Sequence, residues 1–209
     1  MTWRDEVRAE LGPVVERCGG GPTGWQDQLV AFLELLRNRN EVVNLVSRRT
    51  PDDWVRRHLL PSLAVLPLVP TRTIVRVLDV GSGGGLPGIP LKILRPDARV
   101  DLVEATRKKV DFLSECRSAL ELTGLEAHWC RVEAPSESLR SRGPFDLAVA
   151  RAVGHEEALI RAVPALLAAD GRGFWIYVAP SEPLGEPPAE IIWRDRNDQP
   201  VTALRRVAG

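Results

Sequence analysis

Cysteine is scarce in this sequence. Its three thiols, Cys18, Cys116 and Cys130, are odd in number and lack the spacing of metal ligands. No metal site is therefore expected, and reduced thiols in a cytoplasmic protein are. Cys116 falls in a helical pattern and Cys130 in a strand pattern, where a cysteine serves as a small buried apolar residue. Charge of one sign is missing too. The 28 lysines and arginines balance 28 aspartates and glutamates, so no global bias advertises nucleic acid, although a neutral total leaves room for a basic face. No run approaches the roughly 18 apolar residues of a spanning helix, so no membrane partner is expected. The opening MTWRDEVRAE is charged from residue 4 and does not read as a secretory leader. Internal repeats are absent. What is present is 209 residues with 44% hydrophobic content, enough for one α/β domain with an appendage.

The first 70 residues read as helical. Val7, Leu11, Val14 and Val15 make one face of a helix over 2–17, and a Gly/Pro loop over 19–24 stops it. Leu29, Phe32, Leu33 and Leu36 make the face of a second helix. Thr50-Pro51-Asp52-Asp53 has the form of a helix start, with Thr50 as N-cap. The helix that follows carries Trp54, Val55, His58, Leu59 and Leu63, and Pro61 inside it predicts a kink or break. From residue 74 short apolar runs alternate with helical stretches. Strands are expected at Ile74–Val80, Val100–Glu104, Ala127–Val132, Phe145–Ala150 and Gly173–Val178, with helices at 88–95, 107–122 and 155–168. A Pro/Glu-rich loop at 180–188 precedes a closing hairpin of Ile191–Arg196 and Thr202–Val207. The expected fold is α/β, a mostly parallel, doubly wound, Rossmann-like sheet with an N-terminal helical extension.

The run Val77-Leu78-Asp79-Val80-Gly81-Ser82-Gly83-Gly84-Gly85-Leu86 joins an apolar strand to a helix through a glycine-rich turn, the layout of a nucleotide-binding corner. The spacing Gly81-x-Gly83-x-Gly85 puts Leu86 where the dinucleotide fingerprint wants a third small residue. That departure favours S-adenosyl-L-methionine (AdoMet), which has no pyrophosphate. Glu104 ends the second strand 23 positions after Gly81, where a carboxylate can accept hydrogen bonds from ribose hydroxyls. Asp79 is an acid inside an apolar strand and needs a partner; bonding to backbone N–H groups, it would hold the turn from behind. Val132 and Glu133 follow the third strand near an expected adenine, and Arg151 ends the fourth as a clamp for a carboxylate or phosphate. Arg37 and Arg39, then Arg48, Arg49, Arg56 and Arg57, give the appendage a local basic excess, which composition alone reads as a solvated helical face but which could also meet RNA phosphates. His58 is either a core-edge histidine or a substrate contact. No Asp/Asn-Pro-Pro-aromatic signature of enzymes methylating exocyclic amines follows the fourth strand.

With these residues in place, the chain resembles the bacterial small-subunit (16S) ribosomal RNA guanine-N7 methyltransferases, the glucose-inhibited division protein B family. The likeness runs from about residue 25 to 176. Its matching segments are Asn44-Leu45, Arg57-His58-Leu59-Leu60, the stretch from Val77 to Leu91 with Leu86-Pro87-Gly88-Ile89-Pro90, Lys108-Lys109-Val110-Asp111-Phe112-Leu113, Arg131-Val132-Glu133 and Arg151-Ala152. The resemblance implies a class I AdoMet-dependent methyltransferase fold over 71–209 behind a helical region at 1–70. It implies AdoMet contacts at Gly81, Leu86, Val132, Glu133 and Arg151, beside Gly83, Gly85 and Glu104 from the reading above. The implied partner is small-subunit ribosomal RNA or its particle; Arg48, Arg49, Arg56, Arg57 and His58 are then the candidate RNA contacts, and a monomer is expected. Three positions depart from the family pattern: Pro61 stands for an acid, Val153 for an aromatic, and Tyr177-Val178-Ala179-Pro180 for a strand end with a Lys-Gly pair.

Guanine N7 carries a free lone pair, so its methylation needs no general base and none is assigned. Catalysis would rest on alignment and on electrostatics that tolerate a cationic product. Two other readings fit the same residues: an AdoMet methyltransferase with a different substrate, and a non-catalytic AdoMet- or RNA-binding module. A nicotinamide dehydrogenase fits worst, because Leu86 breaks its fingerprint.

Overall fold

The computed structural model describes residues 2–47, 53–71, 74–151, 160–178, 191–194 and 200–208. Helix α1 (Trp3–Arg17) starts at a reciprocal cap: the Thr2 side chain accepts from the Asp5 amide at 3.2 Å, and the Asp5 carboxylate accepts from the Thr2 amide at 3.0 Å. Its apolar face of Val7, Leu11, Val14 and Val15 is buried, as is that of Leu29, Phe32, Leu33 and Leu36 on α2 (Trp25–Asn40). The expected cap residues Thr50 and Pro51 lie outside the described residues.

Around Pro61 the chain stays helical by changing helix type. A π-helical turn, Val55–Leu59, runs into a single α-helical turn (α3, Leu60–Ser62) and then a 3-10 turn, Leu63–Leu68. Pro61 has no N–H to donate to the Arg57 carbonyl, its partner in an α-helix. In the widened turn the Leu60 N–H reaches back to Val55. The predicted break is thus a local change of register.

Among the described residues seven strands form one sheet: β1 (Arg76–Val80), β2 (Arg99–Glu104), β3 (Leu125–Trp129), β4 (Phe145–Arg151), β5 (Leu167–Val178), β6 (Ile191–Arg194) and β7 (Pro200–Ala208). Their order is β3-β2-β1-β4-β5-β7-β6. The first five are parallel, and β7 pairs antiparallel with β5 and β6 to make the expected closing hairpin. Helices α4 (Gly88–Leu94), α5 (Arg107–Ala119) and α6 (Glu137–Arg140) follow β1, β2 and β3. Chain order reverses between β1 and β4, so ligands are expected beyond the carboxyl ends of these strands.

Several boundaries differ from the sequence expectation. Strand β3 ends at Trp129, not Val132, because Arg131 and Ala134 pair in a tight turn that carries Val132 and Glu133 off the strand line. Cys130 therefore sits in a bend and is half-buried. Strand β5 starts at Leu167, inside the helix expected over 155–168; helix persists only through 160–162 before a 3-10 turn, Val163–Leu166, and residues 152–159 are outside the described set. Pairing of Leu167 with Phe145 overrides local helical preference there. Helix α5 stops at Ala119, three residues short of expectation, where Glu121 takes a φ of 52°.

Side chains alternate across the sheet, so Val77 and Asp79 face α4 while Leu78 and Val80 face the opposite layer. The larger apolar cluster joins β-sheet residues to α4, α5 and the N-terminal helices; the smaller holds Leu78, Val80, Val103, Val132, Leu139 and Phe145. Every residue of α4 is buried, and α4 packs against both the sheet and α2. Among the described residues no helix is long and apolar enough to cross a membrane, and no group of three His, Cys, Asp or Glu side chains could hold a metal ion.

Candidate active site

The glycine loop leaves β1 at the sheet's carboxyl edge. Gly81, Gly83 and Gly85 have φ values of 69°, 53° and 84°, in the left-handed region that side chains disfavour. The Gly81 and Ser82 amides both donate to the Val103 carbonyl of β2, at 2.8 and 3.0 Å, and Ser82 Oγ donates back to the Asp79 carbonyl at 2.9 Å. Beyond the loop, Gly88 opens α4 so close to β1 that a Cβ would stand 2.6 Å from Asp79 Oδ2 and 2.4 Å from Leu102 Cδ2. Only glycine allows that approach.

Asp79 is fully buried. Its Oδ2 accepts from the Gly88 amide at 2.8 Å, while Oδ1 has no partner. Burial raises the carboxyl to about 7, against the lowering effect of the Gly88 bond. The expected staple thus holds the start of α4 rather than the glycine loop itself. Glu104 reaches the loop: Oε2 accepts from the Gly83 amide at 3.1 Å and Oε1 from the Thr106 amide at 2.8 Å. One carboxylate therefore ties the loop to the start of α5 and keeps lone pairs for a ligand.

Arg151, expected as a ligand clamp, reaches the edge of the site with its guanidinium held by the N-terminal region. Its Nη1 donates to the His58 carbonyl at 2.9 Å and to Ser62 Oγ at 3.0 Å, and Nη2 donates to the Arg57 carbonyl at 2.9 Å. The Arg57 carbonyl is the acceptor that Pro61 leaves without its α-helical donor. Burial lowers the guanidinium to about 10, opposed by the charge of Asp79, so it stays cationic at neutral pH. His58 packs its ring edge-on to Trp54 at 5.2 Å, and both ring nitrogens are buried without partners. Burial, then repulsion from Arg151 and Arg57, lowers it to about 4, so it is neutral.

A cavity of about 530 Å³ opens between the glycine loop and the N-terminal region, within the size range of small-molecule sites. Gly81–Gly84 and Leu86 form its floor, Asn44–Ser47 and Arg57–His58 come from the N-terminal region, and Lys109 and Arg151 complete it. Sequence reasoning missed Asn40, whose Oδ1 accepts from the Leu45 and Val46 amides at 2.8 and 3.0 Å and fixes the 44–47 segment. It also assigned no role to Lys109. Both are polar residues in helical patterns, where nothing marks them off from a solvated face.

The other expected site residues lie apart from this cavity. Gly85 is buried behind the loop, and a Cβ there would meet Ile89 and Leu113. Val132 is 3% exposed within the smaller apolar cluster, and Glu133 is exposed in the adjoining turn. Arg56 pairs with Glu10 of α1 at 3.6 Å. Arg39 pairs with Glu115 at 3.4 Å, and Arg37 covers the Trp3 ring at 4.8 Å. Arg48 and Arg49 lie outside the described residues. Of the basic groups singled out, only the Arg57–His58 pair is brought to the cavity among the described residues.

Comparison with known proteins agrees with this architecture. A crystal structure of a mutant MtNAS in complex with S-adenosylmethionine superposes with a TM-score of 0.54 at 14% identity, covering 86% of this chain and 74% of that one, a likeness of fold alone. Ribosomal RNA small subunit methyltransferase G of Methylobacillus flagellatus is 38% identical over 177 residues, 82% of each chain. The protein of the same name from Ralstonia nicotianae is 38% identical over 174 residues, 80% of this chain and 76% of that one. The family model described as rRNA small subunit methyltransferase G matches residues 25–182. This chain belongs to that family.

Proposed function

We propose that this protein methylates N7 of a guanine in small-subunit ribosomal RNA, with AdoMet as methyl donor. The observation that carries the reading is the cavity on the glycine loop at the sheet's switch point, in a chain of this family. The residues fit the cofactor. The Gly81–Gly83 backbone lies open to the cavity, and Glu104 stands at the end of β2 with oxygens able to accept from ribose hydroxyls. Gly81, Gly83, Leu86 and Glu104 would hold the methionine and ribose portions. Gly85 would shape the loop from behind, and Asp79 would support it through Gly88. Val132 and Glu133 would border the adenine, Val132 from within the apolar layer.

Bound AdoMet supplies a methyl group on a sulfonium sulfur. Guanine N7 is unprotonated at neutral pH, so no residue has to remove a proton. The chain's task is to place the base, exclude water and tolerate the positive charge of the product. His58, kept neutral by burial, adds no charge to the cavity wall. Arg151 acts on this site by holding the Arg57–Ser62 segment against β4. The target base must leave its stack to enter, which favours a loop in the RNA.

The test is methyl transfer from labelled AdoMet to small-subunit RNA and to assembled particles, followed by nucleoside analysis. N7-methylguanosine is the expected product. Label in another nucleoside, or none in RNA despite AdoMet binding, would favour a different substrate.

A further inference from the structure

Among the described residues three cationic side chains line the cavity, Arg57, Lys109 and Arg151, and no aspartate or glutamate does. Arg151 is engaged by three oxygen acceptors. Arg57 and Lys109 are not: among the described residues neither side-chain cation has a hydrogen-bond or ion-pair partner. Their neighbours on the same elements differ. Arg56 is paired with Glu10, and Arg107 with Asp111 at 3.1 Å. Two cations left unanswered on one cavity point to an anion that arrives with a ligand.

Two sources of such an anion exist, the carboxylate of AdoMet and the phosphates of RNA. Charge decides between them. AdoMet combines an ammonium, a sulfonium and a carboxylate, so it is a net cation at neutral pH. A net cation does not complement the two unanswered positive charges of Arg57 and Lys109. An RNA strand does, and it carries a phosphate at every nucleotide. The two side chains also come from different parts of the fold. Arg57 extends from the π-helical turn, where Arg151 holds its carbonyl, and Lys109 from the first turn of α5.

We propose that Arg57 and Lys109 bind backbone phosphates of the RNA next to the target base, spanning the N-terminal region and the sheet domain. This rests on the reading of the protein as an RNA methyltransferase. Phosphate contacts position the strand without reading its sequence, so the pair sets where the base enters the cavity.

The experiment compares wild type with Lys109→Gln, Arg57→Gln and Lys109→Arg. It measures the Kd for transcribed small-subunit RNA by filter binding across a KCl series, the Kd for AdoMet alone by calorimetry, and methyl transfer alongside. Each Gln variant is expected to weaken RNA binding about fivefold at low salt and to flatten the log Kd against log salt slope by about 0.7, the value for one single-strand phosphate contact. Lys109→Arg should keep most of the affinity, and AdoMet binding should be unchanged or tighter in every variant. AdoMet binding weakened with RNA binding unmoved would overturn the proposal and assign the pair to the cofactor carboxylate. RNA affinity and salt slope unmoved in both Gln variants, with wild type active, would overturn the proposal alone. Wild type that neither binds nor methylates small-subunit RNA would overturn the functional reading and this assignment together.

Discussion

Two buried titratable residues beside the site oppose each other in pH. Asp79 keeps its proton up to about pH 7 in the folded chain but loses it near its ordinary value of 3.8 when unfolded. Its contribution to stability is full below that lower value and is lost as pH rises through about 7. His58 does the reverse: with its folded value lowered from 6.5 to about 4, its contribution is full above 6.5 and is lost as pH falls through about 4. The two slopes largely cancel between pH 4 and 6.5 in the wild type. Asp79→Asn removes one of them while Oδ1 of the asparagine can still accept from the Gly88 amide. The stability of this variant minus that of the wild type should rise with pH from 4 to 7, by at most about 1.4 kcal/mol per pH unit. Urea denaturation over pH 4.5–7.5 measures it, and a flat difference would refute the buried, protonated carboxyl. At Glu104 the effect belongs to the ligand. Glu104→Ala removes both the loop tie and the proposed ribose acceptor, so AdoMet affinity should fall about 10- to 100-fold by calorimetry, while NAD should fail to bind either protein.

At the scale of elements, the π-helical turn and the end of β4 form one unit. Pro61 leaves the Arg57 carbonyl without an α-helical donor, and Arg151 supplies the missing bond from the neighbouring strand. Removing the guanidinium leaves the Arg57 carbonyl without its side-chain donor and Asp79 without its nearby cation, while the His58 carbonyl keeps the Ser62 hydroxyl, so Arg151→Ala should cost about 1–3 kcal/mol in denaturant unfolding. Pro61→Ala restores an N–H that can bond back along the helix. In the Arg151→Ala background Pro61→Ala should therefore be less destabilising than in the wild type, or stabilising. A double-mutant cycle should give a coupling of about 1 kcal/mol or more. A coupling near zero would mean that Arg151 and the proline act independently. The same geometry explains how the chain accommodates Pro61 within a helical run.

At the scale of the whole molecule, the N-terminal helices are part of the core rather than an ornament on it. Val7, Leu11, Val14 and Val15 of α1 join the same apolar cluster as Leu29 and Phe32 of α2 and Val77 of β1. Burying an aliphatic side chain of that size contributes roughly 1.5–3 kcal/mol, so four of them match a large share of the roughly 5–15 kcal/mol that holds a domain folded. Deleting residues 1–24 should lower Tm by more than about 10 °C, or abolish cooperative unfolding, in a thermal melt. A truncated protein that melts like the full chain would mean that α1 packs without stabilising the sheet. The same packing makes the cavity: α2 and the 44–47 segment press on Gly84, whose Cβ would stand 2.8 Å from Leu36 Cδ1.

Much was legible in the chain because it is local. The periods of α1 and α2, the five parallel strands, the glycine loop with its left-handed residues and the carboxylate at the end of β2 all follow from spacing and residue type within short windows. Their causes, side-chain periodicity and backbone sterics, act between near neighbours. What depended on distant neighbours was not legible. Val132 and Glu133 left the strand line, Leu167 joined a strand instead of a helix, the basic cluster of the appendage split, with Arg56 paired to Glu10 and Arg57 opening on the cavity, and Arg151 at the end of β4 turned to the Arg57–Ser62 segment. Whether an arginine is neutralised, spent on a carbonyl or left for a ligand is set by which acceptor lies within about 3–4 Å of it. The sequence by itself determined the fold and the corner where a cofactor belongs; only the tertiary structure decided which charges are left unpaired at the cavity, because that depends on contacts between residues tens of positions apart.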